Sequence, residues 1–255
     1  MMNSLMRRKQ SGFTLIELAI VLVIIGVLVG SFLGTLGSRI DTTRRAEAQE
    51  DLENIKSALL GYAFSSGGPY LPCPCTADCD ADADNPAVQP GQENRTGGAC
   101  TAGAAVGYLP WGTLGLKPAD SWNTLYRYWV DLDFSDSSAG NEFDLTDVGS
   151  GKIRTRNPDG TSTPLVASNV VAVVFTHGKN SYGGLSVADG KARPAIPAAN
   201  VDELDNADAN SEFVSRPPTE AGASMPGGEF DDIVFWISDY ELKARMVEAG
   251  VEMQP

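Results

Sequence analysis

The sequence predicts an α+β fold in which one long N-terminal helix packs on an antiparallel sheet. An apolar run over residues 13–37 passes directly into a segment, ending near residue 65, whose apolar residues recur every three or four positions. After residue 100, short stretches rich in β-branched and aromatic residues are separated by polar loops. A long helix followed by a group of strands is the element order of an α+β domain.

The first twelve residues are basic, and they precede the apolar run. They contain Arg7, Arg8 and Lys9 and no acid, whereas the run itself carries a single charge, Glu17. At about 1.5 Å rise per residue the run is long enough to cross a hydrocarbon core of about 30 Å. It exceeds the apolar part of an ordinary signal peptide, and no small-x-small cleavage site follows it. We therefore predict a cleaved leader over residues 1–12 and the transmembrane half of the helix over residues 13–37.

The junction between leader and apolar run carries a specific motif. Residues 11–18 read Ser-Gly-Phe-Thr-Leu-Ile-Glu-Leu. This octapeptide resembles the processing site of type IV prepilins and type II secretion pseudopilins. The resemblance implies a pilin-like fold, cleavage after Gly12 by prepilin peptidase and methylation of Phe13. It also implies that the protein is a structural subunit of a filament, with other pilin or pseudopilin subunits and an inner-membrane assembly platform as partners.

Glu17 lies near one end of the apolar run, where an unpaired carboxylate is costly in lipid. Cleavage would leave a positive α-amino group on Phe13. In a staggered helical bundle, Glu17 of one subunit could neutralise that amine of its neighbour and fix the register of assembly. We predict that Glu17 is an assembly residue.

The charges flanking the run do not decide its orientation by number. Three bases lie in the leader and three beyond the run, namely Arg39, Arg44 and Arg45. The long segment that follows can be translocated regardless of its charge, which favours a cytoplasmic leader. The prediction is a single-pass inner-membrane protein in contact with lipid, with a periplasmic or extracellular head, that becomes filament-associated after cleavage.

The second half of the helix, over residues 38–66, is predicted to be soluble. One apolar face recurs through it: Ile40, Ala48, Leu52, Ile55, Leu59 and Ala63. A Ser-Ser-Gly-Gly-Pro segment at residues 65–69 ends the pattern. Residues 67–255 are predicted to form the globular α+β head.

Four cysteines stand in the first loop of this head: Cys73, Cys75, Cys79 and Cys100. Their spacing lacks the paired C-x2-C knuckles of common zinc sites. Outside the cytoplasm disulfides are the better default, and four cysteines allow three pairings. We expect two structural disulfides that brace the long loops, and only a Cys73–Cys75 bond is disfavoured, because its ring would be very small.

The same loop carries alternating aspartates: Asp78, Asp80, Asp82 and Asp84. Closely spaced carboxylates suit a hard cation such as calcium, although Asn85 and Gly91 break the EF-hand pattern counted from Asp80. A solvated acidic loop is the simpler alternative. In subunits similar to the major type II secretion pseudopilin, calcium lies near the final strands. That resemblance makes Asp231 and Asp232 alternative calcium ligands.

Strands are predicted at residues 125–134, 152–156, 169–176 and 232–238, followed by a C-terminal helix over residues 239–249. The connections at residues 135–164 and 188–228 are polar and rich in Gly, Pro, Asn and Asp. We predict both to be solvated loops. The second connection holds an acidic group: Asp202, Glu203, Asp205, Asp208 and Glu212.

The composition excludes several classes of function. A formal net charge of −14 argues against nucleic acid as a partner. The single histidine, His177, has no accompanying nucleophile motif, so we predict that the protein is not an enzyme. Two alternatives remain: a minor pilin that acts as a tip adhesin or cargo-binding module, and a membrane-anchored enzyme that uses His177. The sequence does not name the machine, whether pilus, secretion or DNA uptake.

Overall fold

A computed structural model describes residues 13–65, 68–76, 79, 89–160, 163–251 and 253, and for residues 31–36 and 38 it describes the backbone alone. The chain divides into two compact units, Met1–Thr43 and Arg44–Pro255.

The predicted long helix is present as α1, which spans Leu15–Ser65. Within the first unit, its large apolar side chains from Leu15 to Val29 are exposed. The sequence predicts a transmembrane segment over residues 13–37. No helix among the described residues is both long and apolar enough to cross a membrane.

Within the second unit, α1 buries the predicted apolar face. The buried side chains are Ala48, Leu52, Ile55, Leu59 and Ala63. They pack against strand residues such as Tyr128 and Val171 and against Leu242 and Met246 of the C-terminal helix. Full burial of one such aliphatic side chain is worth about 1.5–3 kcal/mol, so this face accounts for much of the packing of α1 on the sheet.

Eight strands follow α1 in the described part of the chain. Their bounds are Arg95–Thr96 (β1), Ala99–Cys100 (β2), Val106–Tyr108 (β3), Arg127–Val130 (β4), Gly151–Arg154 (β5), Leu165–Thr176 (β6), Glu212–Val214 (β7) and Ile233–Ser238 (β8). The first two form a separate small sheet. The others form a six-stranded sheet in the order β3-β4-β6-β5-β7, with β8 paired to β6.

Among the described residues, the strands are accompanied by the helices Trp111–Leu114 (α2), Val201–Ala207 (α3) and Asp239–Glu248 (α4). Short 3-10 turns occupy Thr101–Gly103 and Leu132–Phe134. The C-terminal helix was predicted within one residue, and Ser238 caps it by accepting a hydrogen bond from the Glu241 N–H.

The predicted antiparallel sheet is in fact mixed, because β5 and β7 pair in parallel. A parallel pair needs a crossover connection rather than a tight turn. Here the chain returns along β6 and passes through α3 before it enters β7. The prediction of a fully antiparallel sheet was wrong because it did not include α3, which lies in the crossover connection.

The long strand β6 organises the head. Residues 170–176 are all buried, as expected for an apolar run covered on both faces. The second face carries its own cluster, in which Phe175 and Phe213 pack with Trp129 and Ile153. The adjacent strand β4 is shorter than predicted, since Leu132–Phe134 forms a 3-10 turn capped by the Asp131 side chain.

The connection at residues 188–228 is not simply a solvated loop. It contains α3 and β7, and two of its acids, Asp202 and Glu203, are buried. Buried charges need partners. Asp202 has two, because Arg156 and Arg216 each approach its carboxylate to 2.6 Å.

Candidate functional site

The N-terminus of α1 contains two of the predicted site residues. Gly12 lies outside the described residues, whereas Phe13 is described and is 85% exposed. The Thr14 backbone N–H and hydroxyl donate to Glu17 Oε2 at 2.8 and 2.7 Å. In return, the Glu17 N–H donates to Thr14 Oγ1 at 3.3 Å.

These reciprocal bonds form a capping box, which satisfies backbone donors that have no partner within the helix. Sequence reasoning gave Glu17 only an intersubunit role and missed this local one. The signal was present as a Thr-x-x-Glu pattern directly before an apolar run. Both hydrogen bonds that Glu17 accepts from Thr14 are made to Oε2, so the capping box leaves Glu17 Oε1 unused.

A second candidate site lies in the head, where α3 meets the start of β8. Carboxylate oxygens of Glu203, Asp231 and Asp232 lie within 4.8 Å of one another. The three residues are only 2%, 5% and 7% exposed. Two of them were predicted as calcium ligands through the resemblance. The third, Glu203, was missed because its segment was read as a solvated loop.

Asparagine residues donate hydrogen bonds that hold these acids in place. The Asn180 N–H donates to Asp231 Oδ2 at 2.8 Å, and its side-chain amide donates to Glu203 Oε1 at 2.9 Å. Asn200 donates to Glu203 Oε2, and Asn206 donates to Asp232 Oδ2. These donors are neutral, so they orient the carboxylates without cancelling their charge.

Burial dominates the electrostatics of the cluster. Burial, aided by the charge of Glu203, raises the pKa of Asp231 to about 7, against the opposing Asn180 hydrogen bond and the smaller effect of the Arg45 charge. Burial also raises the pKa of Asp232 well above its ordinary value, and the charge of Arg216, which pairs with Asp202, is the smaller opposing effect. Carboxylates buried in this way are stabilised by holding a proton or by binding a cation.

The residues fit a hard divalent cation. Asp231 Oδ1 is buried and has no hydrogen-bond partner among the described residues. Calcium takes several oxygen ligands, and carboxylates are its usual side-chain donors in proteins. Asp231 also borders a cavity of about 200 Å³ beside Arg45 and Glu229. Gly178, with φ +60°, passes so close to Asp231 that a Cβ atom there would collide with it.

Asp78, Asp80, Asp82 and Asp84 lie outside the described residues, so calcium binding by that loop stays a prediction.

The cysteines form two disulfides, Cys73–Cys100 and Cys75–Cys79, a pairing that the sequence had left open. No cysteine is free. Their sulfurs are therefore covalently paired and do not form a zinc site.

Glu93 joins the disulfide loop to the helix. Glu93 accepts hydrogen bonds from the Cys73 N–H at 2.9 Å and from the Tyr62 hydroxyl at 2.7 Å. Within the loop, Arg95 pairs with Glu93 at 3.0 Å and donates to the carbonyls of Leu71, Gly98 and Ser135. The loop is thus fixed to α1 through Tyr62 and braced internally by the disulfides.

His177, the residue on which the enzyme alternative depended, is buried. It is 1% exposed and packs edge-on against Phe175 with ring centroids 5.3 Å apart. Burial, with a smaller contribution from the charge of Arg127, lowers its pKa to about 3. The imidazole is therefore neutral at ordinary pH and acts as a packing group in this structure.

Comparison with known proteins concerns the N-terminal segment. Residues 7–33 match the prokaryotic N-terminal methylation motif. The chain is also similar to the type II secretion system core protein G of Pseudomonas aeruginosa, with 43% identity over 53 residues. The two matches support the pilin and pseudopilin family. The second match covers 21% of this chain and 37% of that relative. No solved structure matches.

The pilin-like segment includes all three predicted N-terminal site residues, Gly12, Phe13 and Glu17. It ends at residue 33, well before the head and its acidic cluster.

Proposed function

We propose that this protein is a structural subunit of a type IV pilus-like or type II secretion pseudopilus filament. The observation that carries the proposal is the methylation motif over residues 7–33, which contains the Gly12–Phe13 junction and Glu17. The row of exposed apolar side chains from Leu15 to Val29 also supports it, since such a surface requires apolar surroundings.

In this proposal, prepilin peptidase cuts after Gly12 and the new terminus at Phe13 is methylated. Before assembly, the apolar segment holds the subunit in the inner membrane, where the segment contacts lipid and the assembly platform. The head lies outside. In the filament, neighbouring subunits supply the apolar surroundings, and the Glu17 carboxylate faces the Phe13 amine of an adjacent copy. Each of these charges would be costly alone.

We further propose that Glu203, Asp231 and Asp232 bind calcium. The support is the buried Asp231 Oδ1, which has no hydrogen-bond partner among the described residues, together with the grouping of three buried carboxylates. A bound cation would join α3 to the segment before β8 and order that side of the head.

Processing is the direct test of the proposed function. The full chain is expressed with and without a prepilin peptidase, and the mature mass is measured. We expect a product that begins at methylated Phe13 only when the peptidase is present, and Gly12→Ala should prevent cleavage. Gly61→Ala is the matched control, because a Cβ atom there meets nothing within 4 Å. Cleavage of the Gly12→Ala variant at the same bond would refute the assignment.

The position of the subunit in the filament separates the structural role from the alternative of a tip adhesin or cargo-binding minor pilin. Immunogold labelling along the whole filament supports the structural role. Label confined to one end supports the alternative instead.

A further inference from the structure

A positively charged cavity occurs in the head of this acidic protein. Its volume is about 430 Å³, and it lies beside the loop before β4 and the loop after β6. Arg44, Lys179 and Arg193 line it, and none of its lining residues is an acid. The whole chain has 33 acids against 19 bases, so this local excess of positive charge departs from the rest of the sequence.

Two of the lining side chains carry buried donors that lack a partner. Trp122 Nε1 and Arg193 Nε are both buried without a hydrogen bond to any described residue. Trp122 as a whole is only 9% exposed. Native proteins satisfy almost all such groups, so each exception calls for an explanation. An indole N–H and a guanidinium N–H can only donate, which means that the missing partner is an acceptor.

Hydrogen bonds of the backbone fix the position of both residues. The Trp122 N–H donates to Asp120 Oδ1 at 2.9 Å, and the Arg193 N–H donates to the Gly184 carbonyl at 2.8 Å. The guanidinium of Arg193 also reaches the Asn123 carbonyl at 3.5 Å. Residues whose backbone is already fixed lose less freedom when a ligand binds.

We propose that this cavity is an oxyanion site, which binds a carboxylate or phosphate group on Trp122 and Arg193. Arg44 and Lys179 supply positive charge around it. Charge-assisted N–H···O bonds to an anion are stronger than neutral ones, and the guanidinium geometry suits carboxylate and phosphate oxygens. The site is separate from the proposed filament contacts and from the acidic cluster.

One loop joins the cavity to the acidic cluster. Asn180 lines the cavity, and its N–H groups donate to Asp231 and Glu203. The oxyanion site does not depend on a cation being bound there, so the two proposals can fail independently.

The test is a titration of the purified full chain in detergent with three probes: inorganic phosphate, citrate and a glutamate-rich peptide. Binding is followed by calorimetry and by tryptophan fluorescence. We expect saturable binding with a Kd of about 1 mM or tighter that weakens as salt is added. A clear preference for the peptide identifies the source of the oxyanion as side chains of a protein partner. Equal or tighter binding of phosphate or citrate identifies it as a free small anion.

Variants separate the site from nonspecific attraction. Trp122→Phe keeps an aromatic ring but removes the indole N–H donor, and Arg193→Gln removes the positive charge of the guanidinium. Each should weaken binding by about tenfold. The control is Arg245→Gln, an arginine on α4 that pairs with Glu248 at 3.0 Å. The proposal is overturned if no probe binds saturably, or if the two site variants bind as tightly as the control.

Discussion

The backbone N–H of Asp231 donates a hydrogen bond to Glu203 Oε1 at 3.3 Å, which joins the start of β8 to α3. Their side chains are both buried, and with Asp232 they bring three carboxylates together. Such an arrangement is unfavourable when all three are ionised and no cation is near. The predictions for the head depend on how that repulsion is relieved.

Calcium should stabilise the head through this cluster. A ligand that binds only the folded state adds about 2.7 kcal/mol when its concentration is a hundred times its Kd. We expect the melting temperature to rise with millimolar calcium and the rise to be lost in Asp231→Asn and Glu203→Gln. Asp208→Asn, an exposed acid just after α3, is the control and should keep the full response. An equal calcium response in Asp231→Asn would exclude this cluster as the site.

Without divalent cations, stability should fall as pH rises from about 4 to 7. The pKa of Asp231 is about 7 in the folded protein and about 3.9 when unfolded, so the folded state binds more protons in that interval. The slope from one such group is at most about 1.4 kcal/mol per pH unit. It can be measured by urea unfolding in a chelator.

Asp231→Asn should flatten this slope without removing it, because the pKa of Asp232 is raised too. Asp208→Asn should leave it unchanged. Stability that rises with pH over the same interval, in the absence of divalent cations, would contradict the prediction.

The two roles of Glu17 can be separated by substitution. Thr14→Ala removes the capping box and should cost about 0.5–2 kcal/mol of helix stability, yet permit assembly. Glu17→Gln can still accept the Thr14 hydrogen bonds but has no charge. If Glu17 neutralises the Phe13 amine of a neighbour, Glu17→Gln and Glu17→Ala should be cleaved normally and remain out of filaments. The measurement is the ratio of filament-associated to cleaved subunit. Normal incorporation of Glu17→Gln would contradict the assembly role and leave Glu17 with the capping role alone.

The sequence predicts those structural features whose signal lies within one continuous segment of the chain. Helix α1, the buried run of β6 and the C-terminal helix were predictable because each has a periodicity or an apolar run of its own. The buried position of Glu203 had no such signal, since it depends partly on Asn180 from a distant loop. The parallel pairing of β7 with β5 depends likewise on a long-range crossover.

The same limit applies to the N-terminal site. The Gly12–Phe13 junction is a contiguous motif, so the sequence alone pointed to it. The basic cavity draws on Arg44, Trp122, Lys179 and Arg193, which are far apart in the chain. No spacing rule relates such residues, and only the folded structure brings them together.

The buried charge of Asp202 should be essential for the head. Asp202 is fully buried, as is the side chain of Arg216, and the two approach to 2.6 Å. Asp202→Asn leaves Arg216 buried without its counter-charge, which typically costs about 3–5 kcal/mol. Glu212→Gln is the matched control: it breaks the pairs of Glu212 with Lys152 and Arg154. The exposed fractions of these side chains are 40% for Glu212, 46% for Lys152 and 34% for Arg154, so the change should cost about 1 kcal/mol or less. Urea unfolding of both variants at neutral pH measures the difference, and equal costs would mean that solvent reaches Arg216 and the pair contributes no more than a surface one.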